Sequence, residues 1–426
     1  MRKRAWWLIL LTLLVPGSAQ LVAGNRKLAR VGITATLGFW AMFILAALIG
    51  LINKTWLIVI VTIPFLIGVL SLLLFLYAAL YAILALDTLR LMRMGRLYKN
   101  DRWFALAGLV AAAILGTSTI SWAGNTAGIS AGFIGNIFNQ SGFTSPVDGK
   151  YNIMLLGGDS GSDRFGLRPD SISVISIDAN NGQIVNIGIP RNLQHVGFVA
   201  GSPMLKVYPN GWNCGVDCLI NAIYKDVTDN HSDLYPDAVK HGSNPGIEAT
   251  RDAVQYVTGL KIQSYVLVDM AAFSQLIDSL GGIDINVQQR LPIGGQKEDL
   301  SDVIGWIEVG QQHMDGYHAL WYARSRHSTT DYDRMRRQRE VESAVLKQMD
   351  PATVLSRFQQ IAGAGQKLVK TDIPSGMLAT YVDLAIQAKS KSITPLELVP
   401  PTVNVIRPNF DEIHALVQKA LNPSSK

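Results

Sequence analysis

The chain has 426 residues and a formal net charge of +6. That length is enough for two or three domains, and the positive charge suits a protein that works beside an anionic membrane or on anionic substrates. The sequence contains no P-loop and no H-E-x-x-H pair, and its basic cluster lacks interleaved aromatic residues. We therefore exclude P-loop nucleotide hydrolases and zincin proteases, and we expect no nucleic acid as a partner.

Three long segments without charged residues lie in the first part of the chain, at residues 31–52, 56–86 and 103–122. Each is long enough to cross a bilayer as a helix. The segment between the second and the third, residues 87–102, is rich in Lys and Arg and is therefore expected on the cytoplasmic side. The third crossing then carries the rest of the chain to the outer side of the cell membrane.

A fourth apolar stretch, residues 5–24, is interrupted by Pro16 and Gly17 and has basic residues at both ends. Because both ends favour the cytoplasmic side, we predict a re-entrant or surface hairpin followed by about three true crossings. A four-span arrangement is the alternative. The membrane region is thus expected to cover residues 1–123, and the residues 124–150, rich in Gly, Ser and Asn, are predicted to form a linker.

Residues 151–423 alternate between strand and helix patterns and are predicted to form an extracytoplasmic catalytic domain. A hairpin is expected at residues 171–189, because two alternating strands flank Asn180, Asn181 and Gly182. Further strands are predicted at residues 151–156, 264–268 and 283–287, and helices at residues 246–258, 271–280, 376–389 and 411–421. This order predicts an α/β fold, an α-β-α sandwich around a central mixed sheet, preceded by a helical transmembrane region.

The only two cysteines, Cys214 and Cys218, stand close together in the sequence NCGVDCL. On the outer side of a membrane such a pair predicts a local disulfide, with free thiols as the alternative. A metal site at these cysteines would need more ligands than the neighbouring sequence supplies.

The segment ARSRHSTTDYDRMRRQRE, residues 323–340, concentrates arginines with few acids to balance them. In a helix capped by one of its aspartates, Arg334, Arg337 and Gln338 share one face, while Arg336 and Arg339 point elsewhere. If their segment is extended, Arg324 and Arg326 project to one side. Guanidinium groups offer paired donors in one plane, so the segment predicts a clamp for a phosphate or pyrophosphate. A solvated charged surface is the alternative.

Two aspartates bracket the polar loop that follows the first predicted strand, Asp159 and Asp170. If the loop folds back, their carboxylates could share Mg2+, which takes hard oxygen ligands and leaves its other positions to water and phosphate oxygens. The alternative is that both are turn and cap residues. Arg191 places another charge at the end of a predicted strand, where ligands of open α/β sheets gather.

Four segments resemble, in this order and spacing, the LytR-CpsA-Psr family of cell-envelope phosphotransferases: NIMLLGGDSGSDRFGLRPDS, IVNIGIPRN, VDMAAFSQLIDSLGGIDINV and DGYHALWYARSRHSTTDYDRMRRQRE. The resemblance covers about residues 150 to 350. It implies a membrane-embedded enzyme that takes a glycopolymer from a polyprenyl-pyrophosphate carrier. That enzyme joins the polymer to peptidoglycan through a phosphodiester and releases polyprenyl phosphate.

The resemblance also implies roles for individual residues. Asp159 and Asp170 would hold Mg2+ against the pyrophosphate, and one of them could orient the acceptor hydroxyl. The residues implied to contact the phosphates are Arg168, Arg191, Arg324, Arg326, Arg334, Arg337 and Gln338. Among these, Arg191, Arg324 and Arg337 are expected to act in catalysis together with the two aspartates. An apolar pocket is implied for the polyprenyl tail.

Three positions depart from the pattern of the family. Asn192 stands where an acid often follows the Pro-Arg pair, Leu219 stands where a lysine is common, and Pro169 replaces a small polar residue. Two other functions therefore stay open. One is a polyprenyl-pyrophosphate hydrolase with water as the acceptor, and the other is a non-catalytic polyprenyl-lipid binding or regulatory protein.

Overall fold

A computed structural model describes residues 2–52, 60, 63–138, 142–158, 168–294, 301–325, 330–348, 369–388 and 391–423. The predicted site residues Asp159 and Arg326 lie outside these ranges. The chain divides into two compact units, Met1–Ile134 and Gly135–Lys426. Each unit is considered by itself.

The described part of the first unit is helical, with helices α1 (Arg2–Leu14), α2 (Ser18–Ala23), α3 (Arg26–Ile52), α4 (Pro64–Leu91) and α5 (Lys99–Ile137). Three helical stretches are long and apolar enough to cross a membrane, namely Arg26–Ile52, Pro64–Arg96 and Asn100–Ile137.

Helix α5 continues through residues 124–137, so the predicted linker is wrong over this part. The small residues there serve close packing between helices instead of ending the helix. The Ser71 hydroxyl of α4 donates to the Gly124 carbonyl at 2.7 Å. A Cβ on Gly124 would lie only 3.3 Å from the Leu74 side chain.

The hairpin of α1 and α2 begins and ends at the same end of the helix bundle. Arg2 lies 3.5 Å from Asp101 at the start of α5. Asn25, just after α2, donates to Asp87 near the end of α4 at 3.1 Å. Because a short connection joins α4 to α5, both contacts lie at the same end of the bundle. The re-entrant arrangement stays a prediction.

The turn between α1 and α2 lies partway along α3. The Thr36 hydroxyl donates to the Pro16 carbonyl at 3.1 Å, and Thr36 is about 15 Å from the start of α3 at the usual rise of a helix. Gly17 has a φ of 99°, and a Cβ there would lie 2.6 Å from the backbone nitrogen of Ile33. This close approach requires a glycine at the turn.

The second unit contains ten strands and several helices within the described ranges. The strands are β1 (Lys150–Gly158), β2 (Pro169–Asp178), β3 (Ile184–Ile189), β4 (Ser264–Asp269), β5 (Ile283–Val287), β6 (Leu291–Gly294), β7 (Val303–Ile307), β8 (Gly310–Met314), β9 (Val369–Thr371) and β10 (Thr394–Glu397). The helices are α6 (Ile223–Asn230), α7 (Pro245–Thr258), α8 (Met270–Leu280), α9 (Gly316–Arg324), α10 (Asp331–Gln348), α11 (Leu378–Ala388) and α12 (Phe410–Leu421).

Six strands form the central sheet, in the order β10-β3-β2-β1-β4-β9. β1 runs parallel to β4 and β10 runs parallel to β3, whereas the other neighbours are antiparallel. The sheet is therefore mixed, and the predicted hairpin is confirmed as β2 and β3. Two small ribbons, β5 with β8 and β6 with β7, stand beside this sheet.

Successive residues of β1 enter different cores, which shows that helices cover both faces of the sheet. Met154 packs in a cluster with Ile247 of α7 and Ile413 of α12. Ile153 packs in a separate cluster with Leu384 of α11. The predicted α-β-α sandwich is confirmed. The predicted disulfide joins Cys214 and Cys218, with their Cα atoms 5.4 Å apart.

Candidate active site

The pairing of β2 with β3 brings Asp170 and Arg191 to one edge of the sheet. Ile172 near the start of β2 lies opposite Ile189 at the end of β3, so the flanking residues are neighbours. The Arg191 guanidinium donates through Nη1 to Asp170 Oδ1 at 2.6 Å. Neither residue is close to the other in the sequence, and the antiparallel register alone joins them.

Arg191 also contacts the start of helix α10. Its Nε donates to Asp331 Oδ2 at 3.2 Å, and Asp331 Oδ1 in turn lies 3.1 Å from Nη2 of the buried Arg334. Burial lowers the pKa of Arg191, but the charges of Asp170 and Asp331 outweigh burial and leave the pKa raised. We call Asp170, Arg191, Asp331 and Arg334 the charged row. Acid and base alternate along it, which holds the Arg191 fork in one orientation.

Arg337 lies one helical turn after Arg334 and is also buried, with 3% of its surface exposed. Its Nη2 donates to the Ser325 carbonyl, and its guanidinium carbon is 5.9 Å from the centre of the Tyr322 ring. Burial lowers the pKa of Arg337. The predicted shared face of Arg334 and Arg337 is therefore buried. On this face Arg334 pairs with Asp331, and Arg337 donates to the Ser325 carbonyl.

Arg324 is the last residue of helix α9, so its predicted place in an extended segment is wrong. The helix begins where the Asp315 carboxylate accepts from the backbone of His318 at 2.9 Å. It ends where the Ser325 backbone nitrogen donates to the Trp321 carbonyl at 2.9 Å. Helix α9 therefore includes Arg324, which the spacing of the two arginines did not indicate. Arg324 faces the ring of Trp321 at 5.9 Å.

A cavity of about 140 Å³ lies between the sheet and helices α8, α9 and α10. Its apolar wall is formed by Leu155, Leu156, Val268, Phe273, Leu320, Ala323 and Val341. Its polar lining residues are Asp170, Ser171, Arg324, Gln338 and Glu342. This combination fits a ligand with an apolar chain and an anionic head. Because small-molecule pockets usually measure about 300–1,000 Å³, a long isoprenoid chain would require this cavity to widen.

The remaining predicted contacts differ in exposure. Arg168 is exposed immediately before β2, where a phosphate group could reach it from solvent. Gln338 is half-buried at the cavity, and its side-chain oxygen has no hydrogen-bond partner among the described residues. An orphaned buried amide oxygen is a ready ligand or acceptor for a bound group.

The donor set at the cavity fits Mg2+ in its chemistry. Asp170 supplies carboxylate oxygens, and Gln338 supplies the amide oxygen just described. Mg2+ is commonly held by one or two carboxylates while waters and phosphate oxygens complete its octahedron. The second carboxylate expected from the sequence, Asp159, lies outside the described residues.

The departure at Asn192 does not leave Arg191 without orienting acids, because Asp170 and Asp331 bind it from two sides. At Leu219, another of the three departures, the backbone carbonyl accepts from the Trp212 indole at 3.0 Å, so the backbone there has a structural role. A phosphate contact from this position would require a different side chain.

Sequence reasoning missed a buried cluster centred on Arg339. Both Glu342 carboxylate oxygens accept from Arg339 Nη1 at 2.7 Å, and the Ser171 hydroxyl accepts from Nη2 at 2.9 Å. Glu397 of β10 lies 3.7 Å from Arg339 Nε. As expected, Arg339 points away from the predicted clamp. Its side chain is buried against the sheet. The i, i+3 spacing of Arg339 and Glu342 was an available signal, whereas nothing in the sequence indicated Glu397.

Glu397 provides a stability prediction. Burial raises the pKa of Glu397 from 4.5 to about 7. The charge of Arg339 lowers this pKa, and the charge of Glu342 raises it. Between these two values the folded state holds a proton that the unfolded chain has lost. The free energy of unfolding should therefore fall as the pH rises from 4.5 to about 7, by about 3 kcal/mol at most.

We expect Glu397→Gln to abolish this decline, because glutamine keeps the volume and removes the titrating group. The measurement is thermal unfolding of the purified full chain at pH 5 and pH 8, with wild type and variant side by side. An equal loss of stability between the two pH values in both proteins would contradict the prediction.

Comparison with known proteins finds relatives of the second unit. The chain is 28% identical over 249 residues to the polyisoprenyl-teichoic acid–peptidoglycan teichoic acid transferase TagU of Oceanobacillus iheyensis, covering 58% of this chain and 66% of that protein. It is 25% identical over 231 residues to biofilm regulatory protein A of Streptococcus mutans, covering 52% of this chain and 50% of that protein. The chain thus spans between half and two thirds of these relatives. The crystal structure of B. subtilis TagV is 21% identical and has a TM-score of 0.46, over 64% of this chain and 96% of that one.

The family model of LytR_cpsA_psr matches residues 135–412, which is more than half of the chain and includes all the elements of the candidate site. The chain therefore belongs to the LytR_cpsA_psr family.

Proposed function

We propose that this protein transfers a glycopolymer from a polyprenyl-pyrophosphate carrier to peptidoglycan, with a phosphodiester as the new link and polyprenyl phosphate as the released product. The observation that carries the proposal is the charged row of Asp170, Arg191, Asp331 and Arg334 beside an apolar cavity. The name of the relative TagU, a teichoic acid transferase, supports the same class of reaction. The apolar helices of the first unit suit a domain held at the outer face of the cell membrane, where both substrates meet.

In this reaction the acceptor hydroxyl oxygen bonds to the phosphorus that carries the glycan. The bond from that phosphorus to the bridging pyrophosphate oxygen breaks, and polyprenyl phosphate leaves with the bond electrons. The hydroxyl proton passes to a carboxylate, for which Asp170 is the candidate among the described residues. Such a transfer depends mainly on charge neutralisation and in-line alignment.

The arginines would supply both requirements. Arg191 and Arg324 are partly accessible and would contact the pyrophosphate oxygens, with exposed Arg168 and half-buried Gln338 beside them. The buried Arg334 would act by fixing Asp331 and so Arg191. Arg337 would hold the backbone at Ser325, just after helix α9, and add positive potential behind the phosphates.

Asp170 would hold Mg2+, with Asp159, the residue that follows β1 in the sequence, as the expected second carboxylate. When bound, the ion would neutralise negative charge on the phosphate oxygens. The proposal therefore includes a dependence of the reaction on Mg2+. Its direct test is Asp170→Asn, which removes the carboxylate.

The test uses the purified full chain in lipid nanodiscs, a polyprenyl-pyrophosphate glycan as the donor and peptidoglycan fragments as the acceptor. Ligated product and polyprenyl phosphate are followed by mass spectrometry, with and without Mg2+. Ligated product that requires Mg2+ supports the transferase. Lipid phosphate without ligation points to the hydrolase, and lipid binding without release points to a binding or regulatory protein.

A further inference from the structure

The Arg339 cluster joins the arginine helix α10 to three adjacent strands. From α10, Arg339 donates to Ser171 of β2, and Glu342 accepts from the Asn186 amide of β3 at 2.8 Å. Glu397 completes the cluster from β10. Helix α10, which carries the predicted phosphate clamp, is thus bonded to β2, which contains Asp170, and to β3, which leads to Arg191.

Two of the contacting residues, Arg339 and Ser171, are next to a site residue in the sequence. Arg339 directly follows Gln338, and Ser171 directly follows Asp170. Gln338 and Asp170 line the same cavity, as do Ser171 and Glu342. A shift of Arg339 against β2 would therefore change the separation of two residues on opposite sides of the cavity.

The charges of the cluster make the fastening firm. Arg339 donates through Nη1 to both oxygens of Glu342 and through Nη2 to the Ser171 hydroxyl. Its Nε lies 3.7 Å from Glu397, which is an ion pair without a hydrogen bond among the described residues. The Glu397 carboxylate leaves no room for a Cβ on Gly188, so it is packed directly against the backbone of β3. Only 4% of the Arg339 surface is exposed, and water cannot replace these partners cheaply.

We propose that Arg339 is a positioning residue of the transferase, held between Glu342 and Glu397, which sets the distance between the clamp on α10 and Asp170 on β2. This inference rests on the proposed function. Arg339 itself lies away from the cavity lining and acts through Gln338 and Asp170. Misplacement of reacting groups by about 1 Å can cost about a hundredfold in rate, so a residue without substrate contact can govern the turnover.

The charge balance of the cluster predicts a dependence on pH. With both carboxyl groups ionised, Arg339 faces two negative charges, and a proton on Glu397 restores neutrality. Among the described residues, the groups that face Glu397 are Arg339 and Glu342 from α10 and the uncharged Gly188 from β3, while Asn186 of β3 donates to Glu342. Helix α12 also packs against β10, and its His414 binds the Tyr256 carbonyl at 2.8 Å, away from the cluster.

The experiment compares Arg339→Gln with Arg336→Gln in the full chain, in nanodiscs, by steady-state kinetics of ligation. Arg336 is on the same helix and carries the same charge, but it is exposed and pairs with Asp333 at 3.4 Å. We expect Arg339→Gln to lower kcat by about tenfold to a hundredfold, while KM for the lipid donor changes by less than about threefold. Arg336→Gln should stay within about twofold of the wild type.

A pH profile separates positioning from a merely structural role. We expect kcat of the wild type to decline above neutral pH, and Glu397→Gln to remove that decline. If Arg339→Gln does not fold, Arg339→Lys carries the test, because lysine keeps the charge and loses the paired donors, with an expected loss of about tenfold.

Equal kinetics of the Arg339 and Arg336 variants, or a pH profile that Glu397→Gln leaves unchanged, would overturn the inference while the wild type remains an active transferase. A wild type without turnover would instead overturn the proposed function and, with it, the inference. The activity of the wild type thus tells the two failures apart.

Discussion

Replacing Asp170 with asparagine should lower kcat for glycopolymer transfer by about a thousandfold, the largest single effect that we expect. Asparagine has the same shape, but it gives Arg191 no negative charge and provides a poorer ligand for Mg2+. Among the described residues, Arg191 would keep only Asp331 as a charged partner, at 3.2 Å, and its fork would lose its fixed orientation. The measurement is steady-state ligation by the full chain, with Mg2+ varied in both proteins.

Asp333→Asn provides the matched control. Asp333 is also near the start of α10, but its carboxylate caps the helix by accepting from the Thr330 backbone at 3.0 Å and from the Thr330 hydroxyl at 2.8 Å. Asparagine can cap in the same way, so activity should stay within about threefold of the wild type. A loss of less than tenfold in Asp170→Asn would contradict the role that we assign to this carboxylate.

Replacing Arg337 with methionine should give the second largest effect, a loss of about a hundredfold or more in kcat/KM together with a lower stability. The side chain is buried between the Tyr322 ring and the Ser325 carbonyl, so methionine would fill the volume but leave that carbonyl without its donor. The free energy of unfolding should fall by about 1–3 kcal/mol. Arg337→Lys should retain part of the kcat/KM and part of the stability, because lysine keeps the charge but lacks the planar fork.

The two readouts separate structure from catalysis. If Arg337 only supported the backbone at Ser325, the enzyme that remains folded at low temperature would show nearly normal kcat/KM. A variant that unfolds earlier but turns over like the wild type below its melting transition would therefore contradict a role of Arg337 in the reaction. Thermal unfolding and kinetics on the same preparation provide the comparison.

Local patterns predicted much of the fold. The turn at Asn180, Asn181 and Gly182 indicated the hairpin because these residues tolerate the backbone conformation of a tight turn. Helix α7 shows the same agreement, since Asn244 caps it and Gly259 ends it in the left-handed region. In contrast, the glycines of residues 124–137 suggested a linker, and packing between helices overrode their weak helix propensity.

The candidate site was only partly predictable. Helical spacing placed Arg334 and Arg337 on one face, but it could not show that this face is buried. The contact of Asp170 with Arg191 depends on the register between β2 and β3, which local sequence does not reveal. Glu397 joins Arg339 across a long separation in the chain, and only the parallel pairing of β10 with β3 brings it there.

The most direct test of the proposed reaction is the ratio of released polyprenyl phosphate to ligated glycan, measured for the full chain in nanodiscs with Mg2+ and peptidoglycan fragments. The proposal predicts one lipid phosphate for each new phosphodiester, and both products should vanish together in Asp170→Asn. Lipid phosphate in large excess over ligated product, or product formation that Asp170→Asn leaves intact, would contradict it.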